Sequence, residues 1–504
     1  MKAPIVITLC CLNMVTAGTL YMFSLYGQQF SEKLHYTQTQ TNFVAVAGNY
    51  GMYLSGPVWG WAVDVLGPQK GCLLAAIFMS IGYIAMALTY NQSLFSDSFG
   101  FMSIYFAVVG MGSTCSYMST ISTLAKTFTN NSRGVAFGVP IAIYGLSAFI
   151  WTTVGHFFFV SASGTLNIYP FLLFLAVATS AINLNSAIAF GNLTFSAEDQ
   201  KGKAPEPDAV VVVAQAPSVS RAKPQTSRAS TPTESTPLVI EDEIYVQEDL
   251  VVAQIYGDPD MSGFAFLKHS EVMAFILSFI FFSGPGLMII NSVGAIISSL
   301  YNITDDATSL ASLQSTHVSI ISIMSCTGRV GAGVVSDFLK HRHISRLWSY
   351  LAFGAVMFVG QCLGAVFVDR VERLPWLTVL VGLAYGGVFS VAPTITAEFW
   401  GTRRFASNWG WVSWAPAFGG LVCNLAFGAF YDEEGRRQRS SGGFSGCHGA
   451  TCFRNPFIFT TCAVLAGLVI TVALSFSRRR RKAAIKRERL AKLGILAADT
   501  SGRV

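Results

Sequence analysis

Charged side chains are scarce in this sequence. Asp, Glu, Lys and Arg make up only 12% of its 504 residues, whereas 52% are hydrophobic. Soluble domains carry about 25% charged residues. Together with the mean hydropathy of +0.50, this scarcity excludes an ordinary soluble protein, and we interpret the chain as a polytopic membrane protein.

The residue patterns of an enzyme are also missing. No nucleophile with a neighbouring base, metal-ligand cluster, phosphate-binding loop or cofactor fingerprint falls within one compartment. We therefore predict no enzymatic activity, no cofactor and no metal site. Two other classes are open: a transporter, and a transporter-shaped sensor or receptor that signals through a polar segment without significant flux.

A secreted disulfide framework is absent as well. Eight of the ten cysteines lie inside or at the edges of apolar segments, where a free thiol behaves as a small hydrophobic group. The other two, Cys447 and Cys452, lie in the last loop between apolar runs. We predict that they form a small-loop disulfide, with free thiols as the alternative. Zinc is disfavoured, because the run between them holds one His and no carboxylate.

Long apolar runs are what the sequence has instead. At about 20 residues per crossing, we predict twelve transmembrane helices, six on each side of a polar segment. They lie at residues 5–27, 42–63, 71–90, 101–123, 134–159 and 168–190, and then at 272–298, 309–335, 347–368, 376–397, 408–430 and 456–476. The prediction is an all-α membrane protein with two six-helix halves.

The polar segment between the halves comprises residues 191–270. It contains seven of the 17 prolines and an excess of acidic residues, so it cannot bury enough apolar surface to offset its ordering entropy. We predict a long, largely disordered cytosolic linker. The domains are then a six-helix bundle at 1–190, this linker, a second bundle at 271–477 and a basic cytosolic tail at 478–504.

Basic residues predict the orientation. The short loops on the two sides of the membrane carry nearly equal numbers of Lys and Arg, so they alone do not decide it. The basic tail that begins at Arg478 places both termini and the linker on the cytosolic side. We expect this tail to contact anionic lipid, with nucleic acid as the disfavoured alternative. The sequons at Asn91 and Asn302 then lie on the opposite side, as glycosylation requires.

Two similar motifs follow the second and eighth predicted spans. In each, a glycine precedes an aspartate by four residues and a base follows within six. The motif residues are Gly60, Asp64, Gly67 and Lys70 in the first, and Gly333, Asp337, Lys340 and Arg342 in the second. Because an acid at a helix C-terminus is disfavoured unless paired, we predict that each aspartate meets a helix N-terminus or a base of a neighbouring helix. The two glycines that precede the aspartates would allow close approach. A chance resemblance of two helix ends is the alternative.

The first motif resembles the pattern G-x-x-x-D-x-x-G-x-[RK]-[RK] of the major facilitator superfamily, with Gln69 in place of the first base. Residues 17–26, 284–291 and 390–401 resemble the first, seventh and tenth helices of nodulin-like facilitators. The chain is therefore most similar to the fungal monocarboxylate-transporter homologues. The resemblance implies two six-helix halves, alternating access, and gate roles for Asp64 and Asp337. It favours the vacuolar membrane, with the plasma membrane as the alternative.

Matching positions in the two halves indicate a site at the middle of the membrane. We predict paired helix interruptions in the first and seventh spans, next to a substrate cavity. The residues are Gly18 in the first, and Gly284, Pro285 and Gly286 in the seventh. Three amides within spans either line the cavity or join helices, and both readings stay open. The candidates are Asn13, Asn49 and Asn291, with Tyr21 from the segment that resembles the first helix.

Arg329 is the one firmly ionised group inside a predicted span. A guanidinium at this depth should face protein or a wet cavity and have a polar or anionic partner. Monocarboxylate transporters carry an Arg four residues before a Gly in their eighth helix, as Arg329 and Gly333 do here, and this resemblance implies contact with a substrate carboxylate. Ser325 stands where they have an Asp. We predict a small organic anion such as a monocarboxylate as the substrate, with a gate role for Arg329 as the alternative. Coupling to protons is left open, with His156 and His317 as the intramembrane candidates.

Overall fold

Helices account for nearly all of the described chain. The computed structural model describes residues 3–36, 38–92, 98–128, 132–160, 166–201, 262–300, 307–440 and 447–492. The N-terminal half contains α1 (Ala3–Ala17), α2 (Ser24–Leu34), α3 (Gln38–Leu54), α4 (Gly56–Leu66), α5 (Pro68–Tyr90), α6 (Phe99–Thr127), α7 (Arg133–Phe159) and α8 (Ile168–Lys201). The C-terminal half contains α9 (Phe264–Lys268), α10 (Ser270–Leu300), α11 (Ala307–His341), α12 (Leu347–Val366), α13 (Leu374–Trp400), α14 (Phe405–Val412), α15 (Trp414–Ser440) and α16 (Thr451–Lys492).

Ten stretches of the described chain are long and apolar enough to cross a membrane. They are Pro68–Tyr90, Phe99–Thr127, Arg133–Phe159, Ile168–Gly191, Ser270–Leu300, Leu313–His341, Leu347–Val366, Val371–Trp400, Phe405–Ser440 and Thr451–Arg481. The first two predicted spans are each divided into shorter helices, α1 with α2 and α3 with α4. Counting these two with the ten gives the predicted twelve crossings in two halves.

The two divided spans break for identifiable local reasons. After α1, the chain passes Gly18 and makes a short 3-10 turn, Thr19–Met22, before α2 begins. Gly18 lies so close to the carbonyl of Tyr144 and the side chain of Ser147 that a Cβ there would overlap both. The second break falls at Ser55, where α4 starts with a proline in its first turn. Proline lacks a backbone N–H and is tolerated at this position, where that N–H would have no helical partner.

The predicted interruption at Gly284, Pro285 and Gly286 is wrong. α10 is continuous from Ser270 to Leu300, with Pro285 inside it. The two glycines instead bring neighbouring helices close: a Cβ at Gly284 would lie 2.6 Å from the carbonyl oxygen of Gly419, and one at Gly286 would lie 2.6 Å from the Tyr385 ring. α10 thus continues past Pro285 although the proline lacks the N–H that would donate to the preceding turn.

Two helices extend across predicted domain boundaries, and one short helix lies within the predicted linker. α8 continues past residue 190 to Lys201, and α16 continues past residue 477 to Lys492. α9 lies within residues 191–270, and its Phe266 is fully buried with its ring centroid 5.5 Å from that of Trp400. The other residues of this segment, 202–261, lie outside the described chain.

The two halves meet chiefly along three helix pairs. α4 packs against α14, and α7 packs against α11 and α13. Aromatic rings join the halves where Phe137 of α7 meets Phe405 of α14, with ring centroids 5.7 Å apart. Residues of both halves belong to one continuous apolar cluster. These contacts position a cavity between the halves.

Candidate functional site

A cavity lies between the halves, where α3, α6, α7, α11 and the start of α15 converge. Its lining is aromatic, thioether and hydroxyl-bearing, with a single cation. The lining residues are Tyr21, Met52, Tyr53, Thr114, Tyr117, Met118, Ile141, Tyr144, Arg329, Phe389, Trp409, Ser413 and Pro416. Arg329 is the one group in this lining that is charged at neutral pH. The space open to water is about 40 Å³, room for roughly three water molecules.

Arg329 reaches this cavity from α11 and contacts the opposite half. Its side chain is only 7% exposed, and its Nη1 donates to the backbone carbonyl of Ile141 at 2.9 Å. Within the described residues, its buried Nε has no hydrogen-bond partner. Gly145 makes room for the guanidinium, since a Cβ there would overlap Nη1. A desolvated cation with an unused donor therefore stands at the interface between the halves.

Tyrosines surround the guanidinium on the side of the N-terminal half. The Tyr144 hydroxyl donates to the Tyr21 hydroxyl at 3.2 Å, and their ring centroids are 5.5 Å apart. Tyr117 stacks near Tyr144, with centroids 5.1 Å apart. These hydroxyls both donate and accept hydrogen bonds, so they can orient a polar ligand held by the cation.

The structure brings one of the four neutral candidates into the cavity lining. Tyr21 lines the cavity. Asn13 instead lies fully buried inside the N-terminal half, where its Nδ2 donates to the Cys72 sulfur at 3.3 Å. Asn49 and Asn291 are exposed and are not part of the lining. Asn49 precedes Tyr53 by one turn of α3 and so lies on the same helix face.

Asp64 forms the contact that we call the first latch, defined by Asp64, Ser407 and Lys126. Asp64 Oδ2 accepts the backbone N–H of Ser407 in the first turn of α14 at 2.7 Å. Its Oδ1 lies 3.4 Å from Lys126 Nζ, with Asp64 4% and Lys126 34% exposed. A helix N-terminus supplies unpaired N–H groups and a positive partial charge, which offset the burial of the carboxylate.

Asp337 forms the second latch, defined by Asp337, Gly134, Val135 and Arg346. Its Oδ1 accepts the backbone N–H of Gly134 and its Oδ2 that of Val135, both at 2.8 Å. The Arg346 guanidinium, which is 0% exposed, lies 2.9 Å from Oδ1. The first turn of α7 and a buried arginine thus share one carboxylate.

Arg346 extends the second latch toward α13. Its Nε lies 3.0 Å from Glu398 Oε2, and Lys340 Nζ lies 3.2 Å from the other oxygen of the same carboxylate. The Nη1 of Arg346 donates to the Ser336 hydroxyl at 2.7 Å. The network holds two carboxylates and two cations, so the buried charges compensate one another.

Two of the motif glycines lie where a backbone of the opposite half approaches closely, and the third lies in a turn. A Cβ at Gly60 would overlap the carbonyl oxygen of Ala406 in α14, and a Cβ at Gly333 would lie 2.6 Å from the carbonyl oxygen of Gly134 in α7. Gly67 joins α4 to α5 with a φ of +91°, a conformation that side chains with a Cβ rarely adopt. Gly60 and Gly333 therefore allow close approach of the halves at the latches, whereas Gly67 provides the backbone conformation of the turn.

Sequence reasoning missed the bases that pair with the aspartates. Lys126 contacts Asp64, whereas Lys70 of the motif is exposed in the first turn of α5. Arg346 contacts Asp337, whereas Arg342 lies over the Phe338 ring at 5.6 Å. Lys126 is 62 residues from its aspartate, so no local spacing indicates the pair.

At the end of the bundle opposite the latches, Cys447 and Cys452 are joined by a disulfide with a Cα–Cα distance of 5.9 Å. The adjacent Gly449 N–H donates to the carbonyl of Ser299, near the end of α10.

Asn91 is exposed at the end of α5, and Asn302 lies outside the described chain. His317 is buried with Nδ1 3.3 Å from the Thr378 hydroxyl, whereas His156 is exposed. Among the described residues, His, Cys, Asp and Glu form no group that could hold a metal ion.

Two helical halves that enclose a central cavity and are joined by paired latches define a membrane transporter of the secondary type. A family model described as Major Facilitator Superfamily matches residues 8–344. The chain belongs to this superfamily.

The matching relatives are fungal. "Probable transporter mch1" of Neurospora crassa is 27% identical over 91% of this chain and 87% of its own length. "Probable transporter MCH1" of Saccharomyces cerevisiae is 26% identical over 94% of this chain and 92% of its own. The predicted resemblance to the superfamily and to its fungal monocarboxylate-transporter homologues is therefore confirmed.

Solved structures share the fold at low sequence identity. The chain is similar to FucP in the outward conformation, with a TM-score of 0.57 and 10% identity over 94% of this chain and 99% of that one. It is also similar to the proton:xylose symporter XylE, with a TM-score of 0.55 and 10% identity over 91% of this chain and 94% of that one. These similarities support the fold alone.

Proposed function

We propose that the protein carries a small organic anion, such as a monocarboxylate, across the membrane by alternating access of its two halves. One observation carries the proposal: Arg329 is the sole charged group in the lining of the central cavity and is nearly inaccessible to solvent. Burying a cation costs several kcal/mol unless a partner compensates it. A carboxylate in the cavity would supply the missing charge.

The hydrogen bonds of Arg329 leave a donor for such a ligand. The carbonyl of Ile141 occupies one terminal nitrogen, while Nε has no partner among the described residues. A guanidinium binds a carboxylate best through two parallel N–H groups, which a lysine cannot present. The nearby Tyr21 and Tyr144 hydroxyls are placed to accept or donate to the rest of the ligand.

The latches support alternating access. Each one joins an aspartate of one half to a helix N-terminus of the other, so opening that end of the cavity requires both contacts to break. We propose that this latch end is cytosolic, as the basic tail indicates. The disulfide at the opposite end is consistent with an oxidising compartment there. With both latches formed, the arrangement is closed toward the cytosol.

The same orientation places Asn91 on the non-cytosolic side, where we propose glycosylation. For the membrane itself we propose the vacuolar one, with the plasma membrane as the alternative. Coupling to a proton gradient is an additional proposal, because FucP is a fucose:proton symporter and XylE a proton:xylose symporter.

The test is transport by the purified full-length protein in liposomes. We expect uptake of lactate or pyruvate above that of protein-free liposomes, and no uptake of choline, a cation of similar size. Repeating the assay with and without an inward proton gradient tests coupling. No uptake of any anion from a broad metabolite panel, in protein that is correctly folded and inserted, would favour the sensor or receptor class instead.

A further inference from the structure

A second cavity lies at the latch end, outside the central one. It is formed by the end of α11, the loop that follows it, the end of α13 and the middle of α16, and has a volume of about 260 Å³. Its lining residues are Lys340, His343, Ile344, Ser345, Leu347, Glu398, Phe399, Ser475, Arg478 and Arg479. Three of these side chains are permanently cationic and one is anionic.

The single carboxylate of this cavity is already compensated. Glu398 contacts Arg346 at 3.0 Å and Lys340 at 3.2 Å. Arg478 is fixed in the wall, because its guanidinium contacts Glu271 at 3.0 Å and lies over the Phe399 ring at 3.6 Å. Arg479 is exposed and has no carboxylate within ion-pair distance among the described residues. The cavity therefore retains an excess of positive charge.

A small apolar recess of about 20 Å³, which we call the groove, continues from this cavity between α12 and α16. The groove shares Leu347, Ser475 and Arg479 with the cavity. Its lining residues are Leu347, Trp348, Leu351, Thr471, Val472, Ser475, Phe476 and Arg479. Trp348 is 40% and Phe476 is 56% exposed on its sides. A tryptophan beside arginines is typical of the level where lipid headgroups meet acyl chains.

We propose that this cavity and groove together bind one anionic phospholipid, with its phosphate in the basic cavity and an acyl chain lying along the groove and the exposed rings of Trp348 and Phe476. The phosphate matches a cluster of Arg and Lys donors that a zwitterionic headgroup would use less well. The groove supplies the apolar surface that a free phosphate would leave empty. Lys340 and Glu398 line the cavity and also belong to the ion-pair network that extends the second latch, so the lipid would contact this network.

Equilibrium binding to the delipidated full-length protein in detergent tests this proposal. Fluorescent phosphatidic acid, measured by anisotropy, is the probe, and unlabelled phosphatidylcholine is the zwitterionic competitor. We expect phosphatidylcholine to compete poorly. Arg479→Gln should weaken phosphatidic acid binding roughly fivefold, since one cation near a lipid surface contributes about a factor of that size.

Arg480→Gln is the matched control. It removes the same charge at the next residue, and the Arg480 side chain does not line the cavity. We expect less than a twofold change. Both variants alter exposed positions, and an unchanged size-exclusion profile verifies their folding. An equal loss in both variants would show general attraction to the basic helix and would overturn the proposed site, as would unchanged binding in Arg479→Gln.

Glycerol 3-phosphate separates a lipid from a soluble phosphate, because it has the same headgroup and no acyl chain. We expect it to displace phosphatidic acid only weakly. Leu351→Trp, which fills the groove, should weaken binding of phosphatidic acid but not of glycerol 3-phosphate. If glycerol 3-phosphate binds as tightly as the lipid, the ligand is a soluble phosphate and the lipid assignment is wrong.

Discussion

The Asp337 carboxylate receives the backbone N–H of Gly134 from the opposite half of the protein at 2.8 Å, across 203 residues of sequence. The neighbouring N–H of Val135 binds its second oxygen, so both oxygens are occupied by one helix N-terminus. Asp64 makes the related contact with the first turn of α14, where the Ser407 N–H binds Oδ2 at 2.7 Å and the Ala406 N–H also donates to the carboxylate. The two latches therefore share a design and differ in the partner cation, which is fully buried at Asp337 and 34% exposed at Asp64.

We predict that Asp337→Asn opens the latch end more than Asp64→Asn does. An amide presents one oxygen and one NH2 group, so at position 337 the NH2 group would face a backbone N–H and Arg346 would lose a charged partner. At position 64 the amide oxygen can still accept the Ser407 N–H. The cation that loses its partner there, Lys126, is 34% exposed, so solvent compensates its charge better than that of the buried Arg346. In Asp337→Asn we expect the equilibrium between the closed and open states of the latch end to shift roughly tenfold, as for the loss of one charged hydrogen bond.

Accessibility of reporter cysteines measures this shift. In a background without other free cysteines, Ser407→Cys reports on the latch end, where the residue is 3% exposed. Asn49→Cys reports on an exposed position of α3. Labelling of the first should rise and that of the second should fall. Equal labelling with and without Asp337→Asn at both positions would remove the gate assignment.

The close approach of α7 and α11 at Gly333, beside the second latch, gives a second prediction. Gly333→Ala places a methyl group 2.6 Å from the carbonyl oxygen of Gly134, so α7 and α11 must move apart. We expect increased labelling at the latch end with normal expression. Gly331→Ala is the control, because it lies on the same helix and a Cβ there has no neighbour within 4 Å. Identical behaviour of the two alanine variants would show that close approach at Gly333 does not hold the latch.

Composition and periodicity predicted the twelve crossings, because apolar length is a local property of the sequence. They did not predict the break at Ser55, which depends on one proline in an otherwise apolar run. The continuity of α10 through Pro285 was also missed, because the packing partners of its glycines are distant in sequence.

The site residues likewise divide into those that local sequence predicted and those that depend on tertiary packing. Repetition of a motif identified both aspartates, and the scarcity of charge within spans identified Arg329. The choice of Arg346 over Arg342 as the partner of Asp337 depends on tertiary packing, as does the gathering of Tyr21, Tyr117 and Tyr144 around the cavity. A neutral tyrosine in an apolar span has no local feature that distinguishes a cavity residue from a core residue.

A third prediction changes the position of the Arg329 guanidinium without changing its charge. Gly145→Ala puts a methyl group where Nη1 now lies, and the end of this long side chain can move while the backbone stays folded. We expect KM for the transported anion to rise roughly tenfold, the effect of losing about one charged hydrogen bond. Gly331→Ala, which meets no neighbour, should leave KM unchanged. A normal KM in Gly145→Ala would mean that substrate does not depend on the present position of the guanidinium.

The fourth prediction concerns Arg329 itself. Arg329→Gln removes the one charge in the cavity lining, and because it relieves a buried cation it should not impair folding or delivery to the membrane. We expect it to abolish anion uptake in liposomes. Arg329→Lys keeps the charge but loses the planar pair of donors, so it should retain only a small fraction of the activity.

Uptake and membrane abundance must be measured together, because they separate three roles for Arg329. Loss of uptake at normal abundance assigns the residue to the substrate, provided that cysteine labelling at Ser407→Cys is unchanged. Loss of uptake with increased labelling there would assign it to the contact with Ile141 that joins the halves. Failure to reach the membrane would make it a folding residue, and normal uptake by Arg329→Gln would contradict the anion proposal, since no other cation in the described lining could replace it.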